Sequence, residues 1–274
     1  MKIYQNIHEA YLGSLEDVYF NYEYRAAPRG LPIREKTDYS FRILNPTDEP
    51  VVTKDPERNK VIADYTAKEM ALYNSCSNKV EDFAKASKFW NQLANPDGTI
   101  NSAYGYLIWK NKSHGSDFER EQVVHEAEYE DGTKGVFLTN EAVMRTPWEW
   151  AKQCLIADKD TRQAILRFSL PEHAWVGNKD MTCTLHGNWL IRDDKLHFSV
   201  ILRSNDFNKG LLYDLSFFCS LMDKMLEELR PYYSTLTKGH YTHTVHSAHI
   251  YEKDEDVVKR MLGIEHEKKE PNNT

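Results

Sequence analysis

The chain has 274 residues, a formal net charge of −7 and an ordinary globular composition with 12% aromatic residues. That length is enough to bury a sizeable core, and we read residues 1–274 as one domain. The acidic balance argues against a broad nucleic-acid footprint, and no apolar run approaches membrane-spanning length, so neither nucleic acid nor a membrane is an expected partner.

In chain order, the opening MKIYQNIHEAYLGSLED is too polar for a signal peptide. Residues 22–59, centred on APRGLPIREK, read as loop with short strands. Residues 61–94 carry helical periodicity through Ile62, Tyr65, Met70, Leu72 and Tyr73, then Val80, Phe83, Phe89 and Leu93. Asn95-Pro96-Asp97-Gly98 is a turn signal. Residues 112–140 are highly charged and predict a surface insertion. Residues 146–158, TPWEWAKQCLIAD, predict a helix with a Thr N-cap and Pro at its first position. Residues 185–192, the turn Asp193-Asp194 and residues 195–203 predict a hairpin whose second strand turns Leu196, Phe198, Val200 and Leu202 to one face. Residues 211–229 predict a long amphipathic helix, and residues 265–274 a frayed tail. Helices and strands mix without βαβ regularity, so the class is α+β.

Two features invite a chemical reading. The four cysteines (Cys76, Cys154, Cys183, Cys219) are far apart and form no CxxC, which suits reduced thiols in a reducing compartment and a cytoplasmic location. The stretch GHYTHTVHSAHIYEKD places His240, His243, His246 and His249 at three-residue spacing. Its β-branched and aromatic residues favour a strand, which would send His240 and His246 to one face and His243 and His249 to the other. Four ligands cannot converge from a straight strand, so no metal is expected.

The segment CTLHGNWLIRDDKLHFSVILRSNDFNKGLLYD, from Cys183 to Asp214, resembles the thymidylate synthase superfamily. It is similar to the phage deoxycytidylate hydroxymethylase branch in Cys183-Thr184, Leu190–Asp193 and Arg203–Asp206. Glu69, Trp90, Gly98, Tyr104-Gly105, Asp160-Thr161-Arg162 and His249-Ile250-Tyr251 fit other elements of the family in order. The resemblance spans about residues 60–255. It implies a mixed twisted β-sheet packed with helices, a sheet-to-sheet homodimer, and 5,10-methylenetetrahydrofolate as cosubstrate. If the chain is phage-encoded, its location is the host cytoplasm.

The resemblance also implies roles. The family adds a one-carbon unit to pyrimidine C5, which becomes nucleophilic only after something adds at C6. Cys183 is the candidate thiolate, with Arg203 placed to lower its pKa. Glu69 is the candidate proton shuttle and Tyr104 supports the thiol. Arg203 and Ser204 would hold the nucleotide phosphate. Arg29 would add a mobile-loop contact, with Arg25 and Arg34 competing for that place. Arg162 would cross the dimer interface. Many members carry two consecutive arginines there, whereas this chain has Arg162-Gln163, and Arg167 is a possible substitute. His249 and Tyr251 would hold the sugar 3′-hydroxyl, while Trp90 and Asp206 would face the folate.

Asp214 stands where thymidylate synthases have Asn and the deoxycytidylate enzymes have Asp. A carboxylate accepts from the cytosine amino group, but opposes the O4 acceptor of uracil. The expected activity is therefore deoxycytidylate (dCMP) 5-hydroxymethyl transfer, with water completing the product. The tail KKEPNNT does not resemble the apolar lid that excludes water in thymidylate synthases. Methyl transfer, a ribonucleotide substrate, and a non-catalytic nucleotide-binding homologue are the alternatives.

Overall fold

The computed structural model describes residues 1–128, 130 and 132–264. A short strand, β1 (Lys2–Tyr4), leads into α1 (Ile7–Phe20), which starts where Asn6 accepts the Glu9 amide at 2.9 Å. Ile7, Ala10, Tyr11, Leu15 and Val18 of α1 are fully buried, so the polar opening supplies core. β2 (Tyr24–Ala26) and β3 (Ile33–Ile43) follow. The 11-residue β3 corrects the expectation of loop and short strands over 22–59. Its charges are not loop charges: Arg34 pairs with Glu255 and Lys36 with Asp17, each at 3.3 Å, while Ile33, Tyr39, Phe41 and Ile43 are buried.

α2 (Pro56–Asn74) begins at Asp55, whose carboxylate accepts the Glu57 and Arg58 amides, with Pro56 in the first turn. The helical periodicity of 61–94 is divided among α2, α3 (Val80–Ala86) and a tight turn at Lys88–Gln92 that carries Trp90. The break falls where Cys76 takes a left-handed φ of 53°. The Asn95–Gly98 turn closes with the Gly98 amide on the Asn95 carbonyl at 2.9 Å. α4 (Tyr104–Trp109) then crosses α2 at very close range.

β4 (His114–Glu128) and β5 (Lys134–Arg145) form an antiparallel ribbon apart from the main sheet. The expected surface insertion is therefore regular structure, with Val124, Val136 and Leu138 exposed on one face. α5 (Pro147–Ala157) carries the expected Thr146 cap, completed by Glu149 as a capping box. β6 (Ile165–Arg167), β7 (Thr184–Arg192) and β8 (Lys195–Leu202) come next. The β7–β8 turn puts Asp193 and Asp194 at φ 52° and 53°, as a two-residue hairpin loop requires. β9 (Asn205–Asp206), α6 (Gly210–Leu229), β10 (Thr237–Tyr251) and α7 (Glu255–Leu262) complete the described fold. The expected frayed tail, 265–274, lies outside the described residues.

The strand order is β1-β3-β10-β8-β7-β6, with β2 on β3 and β9 on β10. β10 runs antiparallel to β3 but parallel to β8 and β9, so the sheet is mixed and the class is α+β. One face buries Phe41, Trp189, Phe198, Val200, Tyr241 and Val245 with α1 and α6 packed against the sheet. The opposite face carries half-buried Ser40, Arg42, Asn188, His197, Ser199, Thr242 and Thr244. Among the described residues no helix is long and apolar enough to cross a membrane.

The α2–α4 crossing depends on Gly105. A Cβ there would lie 1.8 Å from the Tyr73 carbonyl oxygen, a backbone atom that cannot rotate away. Gly105→Ala should therefore destabilise the protein by about 1–3 kcal/mol, the usual cost of overpacking. Denaturant unfolding checks this; an unchanged midpoint would mean the two helices can separate freely.

Candidate active site

Cys183 lies immediately before β7, and its carbonyl accepts the Arg203 amide at 2.9 Å, tying the start of β7 to the end of β8. The Arg203 side chain folds back over the same loop. Its Nε donates to the Thr182 carbonyl at 3.1 Å, and one Nη donates to the Met181 carbonyl at 2.5 Å and lies 3.6 Å from Cys183 Sγ. Asp180 anchors the loop from below by accepting the Ser102 amide at 2.8 Å and the Ser102 hydroxyl. Thr184 donates to the Tyr104 hydroxyl at 2.8 Å, which brings α4 under the thiol. Burial pushes the Cys183 thiol up; Arg203 and Arg29 oppose this, while Asp214 and Asp180 add to it. The Arg203 charge acts in the expected direction, lowering the thiol pKa, but desolvation outweighs it.

Two acids face this loop. Asp214, in the second turn of α6, accepts from Asn205 Nδ2 at 2.6 Å. It keeps some exposure, yet burial pushes its carboxyl up to about 7, with the Asn205 bond opposing. Glu69 on α2 is pushed up to about 8, first by burial and then by the Asp214 charge; hydrogen bonds from Tyr73 and Tyr65 partly offset this. The Tyr65 hydroxyl lies 3.4 Å from Glu69 Oε1 and accepts from Trp90 Nε1 at 3.0 Å. Trp90, placed by the turn after α3, is thereby joined to Glu69 through one side chain.

β9 and β10 close the third side. Asp206 pairs in register with His249, and the Asn208 amide donates to Asp206 Oδ1 at 2.9 Å. Burial raises the Asp206 pKa against the opposing charges of His249 and Lys209. The Tyr251 ring stands edge-on to His249 at 5.2 Å, and its hydroxyl feels Asp206, Arg29 and Cys183. The other histidines keep the expected alternation. His240 packs on His197 at 3.9 Å on the outer face, His243 is buried against Phe41, and His246 pairs with Asp38 at 2.7 Å. Among the described residues no group of three or more His, Cys, Asp or Glu could hold a metal ion.

The arginines divide cleanly. Arg25 pairs with Glu252 at 3.5 Å and Arg34 with Glu255, whereas the charge of exposed Arg29 reaches Cys183 and Tyr251. Arg29 sits at φ 54° before Gly30 at φ 77°, in an exposed turn. Ser204 is half-buried between β8 and β9. Arg162 is exposed before β6, and it is not among the main charges acting on Cys183, Asp214 or Glu69. Arg167 acts on His114 and His186 instead.

The structure thus gathers Cys183, Arg203, Tyr104, Glu69, Asp214, Asp206, His249 and Tyr251 around one centre, with Trp90 attached through Tyr65. Sequence reasoning missed Asn205, Asp180 and the polar use of Tyr65. Only Tyr65 carried a readable signal, its i,i+4 spacing from Glu69.

The raised carboxyls have a consequence for stability. Glu69 moves from 4.5 to about 8 and Asp214 from 3.8 to about 7, so the folded state binds these protons more tightly than the unfolded chain. Their contribution is complete below the unfolded values and is lost as pH rises through about 7 and then about 8. Glu69→Gln should therefore raise the thermal midpoint at pH 8 by roughly 2–4 °C while leaving it nearly unchanged at pH 5. Thermal melts at the two pH values check this, and an equal shift at both would refute a buried neutral Glu69.

The family model for thymidylate synthase matches residues 9–272. The deoxycytidylate 5-hydroxymethyltransferase of Enterobacteria phage T4 is 27% identical over 200 residues, covering 69% of this chain and 68% of that protein. The thymidylate synthase of Clostridium beijerinckii is 23% identical over 193 residues, covering 70% of this chain and 58% of that one. Thermostable thymidylate synthase A from Bacillus subtilis superposes with a TM-score of 0.61 at 17% identity, over 94% of this chain and 84% of that structure. The mixed sheet, the half-buried thiol beside an arginine and the family match agree: the chain belongs to the thymidylate synthase family of one-carbon transferases.

Proposed function

We propose that the protein is a dCMP 5-hydroxymethyltransferase that uses 5,10-methylenetetrahydrofolate. The observation that carries this reading is the carboxyl of Asp214, poised at about 7 and held by Asn205. Cytosine offers an amino donor at C4 and an acceptor at N3. A carboxyl that titrates near neutrality can accept from the amino group with one oxygen and share a single proton with N3 through the other. Uracil presents an acceptor at C4, which the ionised form of Asp214 would oppose, leaving two acceptors face to face; the protonated form could donate to it, so selection against uracil rests on the ionised form.

Cys183 adds to C6 in this reading, and Arg203 stabilises the thiolate as it forms. Asp214, by sharing a proton with N3, withdraws charge from the ring as the thiolate attacks. Glu69 moves protons at the base and orders water, with Tyr104 holding the loop through Thr184. Arg29, Arg203 and Ser204 hold the phosphate. The contacts of Arg203 to its own loop use Nε and one Nη, which leaves the other Nη for an anion. His249 and Tyr251 hold the sugar hydroxyl.

Trp90 and Asp206 would hold the folate. Tyr65 and Tyr213, whose rings lie 4.6 Å apart, extend the aromatic wall, while Arg58 Nε and both amide atoms of Asn208 are buried without partners. A flat heteroaromatic ring with hydrogen-bonding edges fits such a wall. The cosubstrate supplies the one-carbon unit. We further propose one domain, a cytoplasmic location suited to its free thiols, and a sheet-to-sheet homodimer that covers the polar outer face and brings Arg162 to the second copy's phosphate.

Incubation with dCMP and methylenetetrahydrofolate, with dUMP and CMP in parallel, should give a dCMP product heavier by CH₂O and no dihydrofolate. A product heavier by CH₂ with dihydrofolate would make the enzyme a methyltransferase, and no product from any nucleotide would refute turnover. Asp214→Asn should shift the dCMP/dUMP ratio of kcat/KM toward dUMP by roughly tenfold to a hundredfold. An unchanged ratio would remove Asp214 from base selection.

A further inference from the structure

Tyr65 and Glu69 lie one helical turn apart on α2 and leave it on the same face. A phenol has one hydrogen. Trp90 Nε1 can only donate, so at 3.0 Å it takes a lone pair of the Tyr65 hydroxyl. The hydroxyl hydrogen is then free for Glu69 Oε1, 3.4 Å away. The Tyr65 ring is held against Tyr213 at 4.6 Å, one residue from Asp214, so the phenol cannot swing without disturbing α6. Around Glu69 stand Tyr65 and Tyr73 on α2, and Asp214 and Tyr213 on α6, with Arg58 acting on Tyr213. None of the groups acting on Glu69 is a cation, so the two phenols are the donors that favour its ionised form.

We propose that Tyr65 is a positioning residue that couples the placement of the Trp90 indole to the protonation of Glu69. The inference rests on the roles proposed above for Trp90 and Glu69, and it adds a direction of communication between them. With the indole seated, the phenol is oriented as a donor toward the carboxyl. When the indole shifts, the phenol loses its orienting partner and Glu69 loses a donor. A cosubstrate bound against Trp90 thereby influences when Glu69 gives up its proton, through one hydroxyl and no backbone movement.

Tyr65→Phe keeps the ring and its packing on Tyr213 and removes only the hydroxyl. In the full-length protein, labelled with ¹³C at glutamate carboxyls and with Glu69 assigned by Glu69→Gln, an NMR titration should give a higher Glu69 midpoint in Tyr65→Phe than in the parent. The Trp90 indole proton should also shift. Trp90→Phe, two links away, should move the Glu69 midpoint in the same direction by a smaller amount. In steady-state kinetics, Tyr65→Phe should displace the pH profile of kcat/KM upward and raise the methylenetetrahydrofolate KM several-fold while sparing the dCMP KM. An unmoved Glu69 midpoint in Tyr65→Phe overturns the proposal. So does a parallel rise of both KM values with the midpoint unchanged, because that is mere structural damage. The titration needs no turnover: a parent protein inactive on dCMP would strike the proposed function, and the Glu69 midpoint would still decide the role of Tyr65.

Discussion

The Arg203 guanidinium is the constraint on which the site depends. It is bonded to the carbonyls of Thr182 and Met181, and its backbone amide to that of Cys183, so the strand that supplies the arginine also fixes the loop that supplies the thiol. A planar, always charged fork suits this task, because it can hold two carbonyls and still face a sulfur. Lysine in its place would keep the charge but lose the two-point grip. The same strand end leads through Ser204 to Asn205, whose side-chain amide holds Asp214.

Around that anchor the fold gathers acids rather than bases. Glu69, Asp214 and Asp206 are all raised by burial, and the Cys183 thiol with them. Without ligand, such a site is most stable with its protons on. A bound anion beside Arg203 would use up part of the positive field that favours the thiolate. In the proposed reaction, ionisation of Cys183 is helped by the base: as sulfur bonds to C6, the C5–C6 electron pair moves through the ring toward N3, beside Asp214. On this view the thiol is kept neutral until a substrate that can accept it is in place, which protects it from other electrophiles.

What the sequence revealed and what it hid differ physically. The β7–β8 hairpin was legible because its period of two is clean and its turn residues are both aspartates, which tolerate the left-handed region. The Thr146 cap and α6 were legible because capping and amphipathicity are local. Cys183, Arg203 and Asp214 were legible because they lie in one short stretch with fixed spacing. β3 and α1 were hidden because their charged residues are halves of long-range pairs: Lys36 meets Asp17, and Arg34 meets Glu255. Asn205 was hidden for a related reason. Its bond to Asp214 spans nine residues through a turn and a helix start, and no periodicity encodes it. The net rise of the Cys183 pKa was hidden because a neighbouring charge can be seen in a sequence, whereas burial cannot.

Product chemistry turns on where water can stand after the one-carbon unit has reached C5. A closed apolar site leaves hydride as the available partner; a site that keeps hydrogen-bonding groups near the reacting carbon keeps water too. Glu69 is protonated below about 8 and is linked to Tyr65, while Asp214 titrates near 7 and is linked to Asn205. Asn205 Oδ1 is itself buried without a partner, a further acceptor with no donor supplied by the protein. Groups of this kind are the partners that a buried water needs, two to four of them within reach. In the proposed activity a polar lining that would suit cytosine would also suit hydration, so its two halves would share one physical origin: the same carboxyls would select the base and retain the water.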